Sequence, residues 1–114
     1  MGTPIYRFTG DDWNVQVTLK KDGVATDVSA ASAIEASIVD SDGIAPATLV
    51  AAVTCDSGAT GADWANGIVI VEIPNASTTS LDPQNAYMEI QVTTAGLKET
   101  WPRSNLVIKK GTIA

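Results

Sequence analysis

The sequence predicts an all-β domain, an antiparallel β-sandwich of seven or eight short strands. Three observations carry that expectation. Apolar and polar residues alternate with a period of two along most of the chain, and no stretch holds an apolar stripe of period 3.6. Turn-forming residues recur roughly every 8–12 positions, which is the punctuation of a sandwich. The chain is 114 residues long and 45% hydrophobic, enough for one core and one domain spanning residues 1–114. At that size roughly two-thirds of the unfolded surface is buried on folding, so neither a disulfide nor a metal is required.

The alternation is cleanest over residues 13–20. There Trp13, Val15, Val17 and Leu19 point one way and Asn14, Gln16, Thr18 and Lys20 the other, as in a half-buried strand. Lys21-Asp22-Gly23 then provides an Asp-Gly turn, with glycine at a position that needs positive φ. Residues 33–40 form the next strand, with Ile34, Ala36 and Ile38 inward, closed by a second Asp-Gly turn at Asp42-Gly43. Residues 48–55 repeat the pattern through Leu49, Ala51, Val53 and Cys55. A loop over residues 56–66 contains Trp64. Residues 68–73 are apolar on both faces and read as a central strand, ended by Pro74. Residues 75–81 predict a short helical turn capped by Asn75 or Ser77. Asp82-Pro83 leads into a strand over residues 86–93, and Thr94-Ala95-Gly96 turns again. Residues 98–101 and 105–109 make a last strand that Pro102 interrupts, because proline cannot donate to a ladder. Strands so spaced predict an Ig-like sandwich whose core includes Trp13, Val15, Val17, Ile34, Ile38, Val69, Val71, Ile90 and Val92.

Composition argues against several functions. There are 7 basic and 13 acidic residues, a net charge of −6, so clustered cations for phosphates or an anionic membrane are lacking. The longest apolar run, residues 68–71, is far too short to span a bilayer, and Met1-Gly2-Thr3-Pro4 shows neither a secretory leader nor a myristoylation pattern. The expectation is a soluble protein that binds neither nucleic acid nor membrane. Cys55 is the single cysteine and reads as a small buried hydrophobe. Histidine is absent, which removes the commonest general base, the commonest metal ligand and every Ser–His or Cys–His nucleophile. No phosphate-cradling glycine loop, dinucleotide fingerprint or Ser-x-x-Lys spacing occurs. Asp40-Ser41-Asp42-Gly43 begins like a calcium loop, but the twelfth position, where the ligating acid belongs, is Ala51. Asp11-Asp12 precedes a strand and reads as a turn, and Asn75-Ala76-Ser77 matches a glycosylation sequon that has no secretory context. No catalytic, cofactor-binding or metal-ligating residue is therefore assigned.

The three tryptophans divide by context. Trp13 belongs to the core. Trp64, in a Gly/Ala loop, and Trp101, beside Pro102, either cap the open ends of the sandwich or serve as exposed interface anchors.

The order of these signals resembles a family of phage tail and baseplate domains, typified by the N-terminal Ig-like domain of phage upper-baseplate proteins. The matching residues are Arg7-Phe8-Thr9-Gly10-Asp11-Asp12-Trp13 before the first alternating strand, then the Asp22-Gly23 turn. Asp27-Val28-Ser29 and the small-residue strand over 30–39 follow, then Asp42-Gly43. Tyr87 to Thr93, Gly96 and the closing stretch from Arg103 to Lys109 complete the likeness, with Asn105 in a region where the family has glycine. The resemblance implies a virion structural part without enzymatic activity: a tail, baseplate or fibre-attachment connector. Its implied partners are other virion proteins and copies of itself in a symmetric assembly. Its implied location is the virion, after synthesis in the bacterial host cytoplasm. Two further readings stay open, a capsid decoration or neck protein and a carbohydrate-binding module using Trp64 and Trp101 as its platform.

Overall fold

The computed structural model describes residues 5–41 and 43–111. Met1 to Pro4 and Asp42, and with Asp42 part of the second Asp-Gly turn and of the calcium-loop-like run, lie outside the described residues. The chain is an all-β sandwich. Its strands are β1 (Ile5–Phe8), β2 (Trp13–Thr18), β3 (Lys20–Lys21), β4 (Val24–Ala25), β5 (Ala33–Val39), β6 (Thr48–Cys55), β7 (Ile68–Ile73), β8 (Gln84–Thr94), β9 (Leu97–Thr100) and β10 (Ser104–Lys109). One helical turn, α1 (Asn75–Thr78), follows β7. The larger sheet has the order β1-β10-β8-β5-β6, with β9 also on β8, and the smaller sheet is β2-β7. The chain thus changes sheet after β1, after β2 by way of the β3–β4 hairpin, after β6 and again after β7, as in Ig-type sandwiches.

Ten strands replace the expected seven or eight. The additions are the two-residue hairpin β3–β4 and the separation of β9 from β10 at Pro102. The sheet is also not purely antiparallel, since β1 runs parallel to β10 in the register Ile5↔Leu106 to Phe8↔Lys109. An N-terminal strand that crosses to the far sheet meets the last strand running the same way.

The nine core residues expected from alternation pack in one cluster between the sheets, with Val17 at its partly buried margin. The cluster extends to Ala86, Met88, Leu106, Ile108 and Trp101. Two tight hairpins follow the turn chemistry: Asp22 and Gly23 have φ of 53° and 79°, and Ala95 and Gly96 have 51° and 81°. Positive φ at both central residues is the type I′ geometry that matches strand twist.

Two local expectations are corrected. β7 pairs with β2 alone among the described residues, so it is not a central strand. Its second apolar face is satisfied by the loop over residues 56–66, which lies across it: a Cβ on Gly61 would sit 3.6 Å from Cδ1 of Ile70, a residue only 4% exposed. Helix α1 is not capped by Asn75 or Ser77. Pro74 occupies the cap position and offers no side-chain acceptor, so Oδ1 of Asp12, 63 positions away, accepts the Asn75 N–H at 2.6 Å.

The family-like residues now acquire physical roles. Gly10 turns the chain at φ 85°, and Trp13 Nε1 donates to the Phe8 carbonyl at 2.8 Å. Thr78, fully buried, accepts from Gly10 N at 3.1 Å and donates to the Asp11 carbonyl at 2.8 Å, latching this turn to α1. Asp27 Oδ1 accepts from both Ser29 N and Ser29 Oγ, at 2.8 and 2.6 Å. Those bonds hold its carboxyl below the usual range, first through the Ser29 hydroxyl and then through the Ser29 N–H. The turn directs the intervening Val28 into the core.

Candidate interaction surface

The aromatic anchors proposed from sequence are not where an anchor must be. Trp101 is 5% exposed and belongs to the core, its main-chain N–H donating to the Ile90 carbonyl at 2.8 Å. The reason is Pro102. It breaks the ladder after β9, and the released chain folds its indole inward, where the Lys21 ammonium covers the ring at 5.2 Å from the centroid. Trp64 opens a 3-10 turn (Trp64–Asn66) and is partly buried against the core, with its carbonyl accepting from Val28 N at 2.8 Å. Both indole N–H groups are buried without a hydrogen-bond partner. The segment over residues 19–28 is thus tied to both tryptophans, which serve as caps. A hollow of about 360 Å³ beside Trp101 is bounded by Lys21 and Glu99, which bond to each other at 3.1 Å across its mouth. A sugar ring would have to displace that ion pair to reach the indole.

What the sequence reading did not single out is the outer face of β1. Tyr6 and Phe8 are 51% and 46% exposed on the outer face, while Ile5 packs on the core. The Lys109 ammonium lies 5.4 Å from the Tyr6 ring centroid. No periodic signal marked this face, since Ile5-Tyr6-Arg7-Phe8 does not alternate apolar with polar residues. Beside β1 lies a concavity of about 670 Å³ between the two sheets, lined among others by Tyr6, Arg7, Asn14, Gln16 and Ile70. Arg7 spans it, donating to the Tyr6 carbonyl at 2.8 Å and to the Asn14 carbonyl at 3.3 Å. On the larger sheet, Arg103 bonds Glu89 at 2.7 Å and ties the segment after β9 to β8.

Chemically this surface presents strand edges and side chains. Among the described residues no group of three or more His, Cys, Asp or Glu could hold a metal ion. Nor is any helix long and apolar enough to cross a membrane. Cys55 is 3% exposed, and burial first, then the charges of Glu35 and Glu72, pushes its thiol up to about 11. A group whose folded pKa is raised contributes stability below its unfolded value and loses it as pH climbs toward the folded one. Native protein at pH 8 should therefore resist a thiol reagent that labels Cys55 promptly in denaturant. Stability should fall between about pH 9 and 11 in the native chain. That part of the fall should be absent in Cys55→Ala, as read from urea midpoints across the range.

No protein-family model matches the sequence, and no curated protein matches it.

Proposed function

We propose that the chain is a structural domain of a bacteriophage virion, a connector in the tail or baseplate with no catalytic role. One observation carries the reading. Several of the residues that make up the tail-domain resemblance act as structural latches. Gly10, Asp11 and Asp12 are bonded to α1, Asp27 and Ser29 aim Val28 inward, and Arg103 grips Glu89. Their bonds hold turns and strands together, which suits a domain whose task is shape and attachment. The burial of Trp101 and the partial burial of Trp64 argue against the carbohydrate-module alternative, because sugar sites need free aromatic faces beside convergent polar groups.

The test is mass spectrometry of separated heads and tails from purified particles carrying this chain, with a glycan array on the isolated domain. Presence in tails at a fixed stoichiometry, without saturable glycan binding, is the expected result. Presence only in heads moves the protein to decoration or neck, and absence from both overturns the virion role. Saturable glycan binding lost in Trp101→Ala, with the fold retained, would restore the recognition module.

A further inference from the structure

Among the described residues the two main sheets leave several open strand edges, and all but one are blunted. An uncovered edge templates pairing with another chain unless charge, proline, bulges or shortness spoil it. The β6 edge carries two register irregularities against β5. β9 is four residues long and holds Lys98 and Glu99. β1 is equally short, and its Tyr6 and Phe8 carbonyls accept from Arg7 and from the Trp13 indole. β7 carries Glu72 and is bridged at Ile68 by Asp63. β2 is different. Its six residues are uncharged, contain no proline and pair with β7 without a register break.

The outward groups of β2 belong to its even-numbered residues. Leu19 N donates to the Gly67 carbonyl on the β7 side, while the Asn14 carbonyl faces Arg7 on the other. Among the described residues the outward N–H and C=O of Gln16 and Thr18 have no partner. Asn14, Gln16 and Thr18 also expose their side chains, as do the flanking Asp12 and Lys20. This row is its own complement. When it is laid antiparallel on a second copy about Gln16, Gln16 meets Gln16 and Asn14 meets Thr18. Asp12 then meets Lys20, and Asp11 meets Lys21. Directly opposed outward residues exchange both main-chain hydrogen bonds. Opposite charges facing across strands stabilise, whereas like charges oppose pairing.

We propose that β2 is a self-association edge, where two copies of this chain join antiparallel about Gln16 into a continuous β7-β2-β2-β7 sheet. The contact is isologous, the same patch on both copies. It brings together two chains of net charge −6. They meet along an uncharged strand whose two ends carry opposite signs. Two groups must move: the Arg7 guanidinium, which holds the Asn14 carbonyl at the long distance of 3.3 Å, and the Lys21 ammonium, which leaves Glu99 to face Asp11. The pairing does not rest on the virion reading, and a β2 dimer would form whatever assembly the chain serves.

The test is sedimentation equilibrium of the full chain up to millimolar concentration, with Gln16→Lys and Gln16→Glu examined alone and mixed one to one. Position 16 is exposed, and unchanged circular dichroism would show that both variants fold. The native chain should dimerise. Each variant alone should dimerise about tenfold or more weakly, since like charges then meet at the two-fold axis. The equimolar mixture should recover dimers containing one of each. A native chain that stays monomeric, variants that dimerise as well as the native chain, or a mixture that fails to recover would each overturn the proposal.

Discussion

Trp13→Ala should lower unfolding free energy by about 3–5 kcal/mol, the range for truncating a large buried aromatic. Trp13 is 1% exposed, opens β2 and faces Ile73 across the small sheet. Its removal leaves a cavity at the end of the sandwich where the β1–β2 turn, α1 and the core meet. It also takes away the indole donor of the Phe8 carbonyl. Trp13→Phe separates the two effects: most of the ring stays, the hydrogen bond goes, and a smaller loss of about 1–2 kcal/mol is expected. Urea unfolding measures both. A loss below about 1 kcal/mol for Trp13→Ala would mean that the turn holds without its indole. Domains of this size have about 5–15 kcal/mol in total, so the alanine variant should fold only marginally at 37 °C.

Gly67→Ala should be nearly as damaging, for a reason unrelated to the core. Gly67 follows the 3-10 turn with φ 75°, its N–H donating to the Trp64 carbonyl at 3.1 Å. Leu19 N donates to the Gly67 carbonyl at 2.8 Å, so the residue is the junction between the start of β7 and the end of β2. A Cβ there would lie 2.7 Å from the Leu19 carbonyl oxygen and 2.8 Å from that of Thr26. Both are main-chain atoms within the sheet and its hairpin, so neither yields cheaply. Left-handed backbone costs an alanine about 1–2 kcal/mol and overpacking about 1–3 more, which together predict a loss of about 2–5 kcal/mol. Gly10→Ala is the control, because a Cβ at Gly10 meets nothing within 4 Å although φ is 85°. It should show the backbone cost alone, about 1–2 kcal/mol. Equal losses in the two variants would refute the steric account.

The candidate surface was only partly legible in the sequence. The row Asn14, Gln16, Thr18 and Lys20 was visible as the water-facing side of a strand, but nothing local marks a strand as the edge of its sheet. That depends on whether a distant segment pairs there, and the small sheet stops at β2 and β7. Trp101 stayed open between cap and exposed anchor because a residue between a broken strand and a proline belongs to no periodic pattern. Its burial follows from the later crossing of β10 onto β8. Thr78 sits in a polar, Ser/Thr-rich stretch that reads as solvent-facing. It is fully buried because Gly10 and Asp11, nearly seventy positions earlier, need its hydroxyl.

By itself the sequence determined which side chains turn inward along each strand and where the chain turns. Period-two alternation and the φ preferences of glycine, proline and aspartate are properties of neighbouring residues, available before any long-range contact forms. Only the tertiary structure decided which strands pair, that β1 meets β10 in parallel, which loop covers Ile70 and which edge is left open. Those outcomes are set by how two twisted sheets close over one shared apolar layer. The same alternating strand satisfies its core face equally well in several positions, and the contacts that choose among them join residues far apart in the chain.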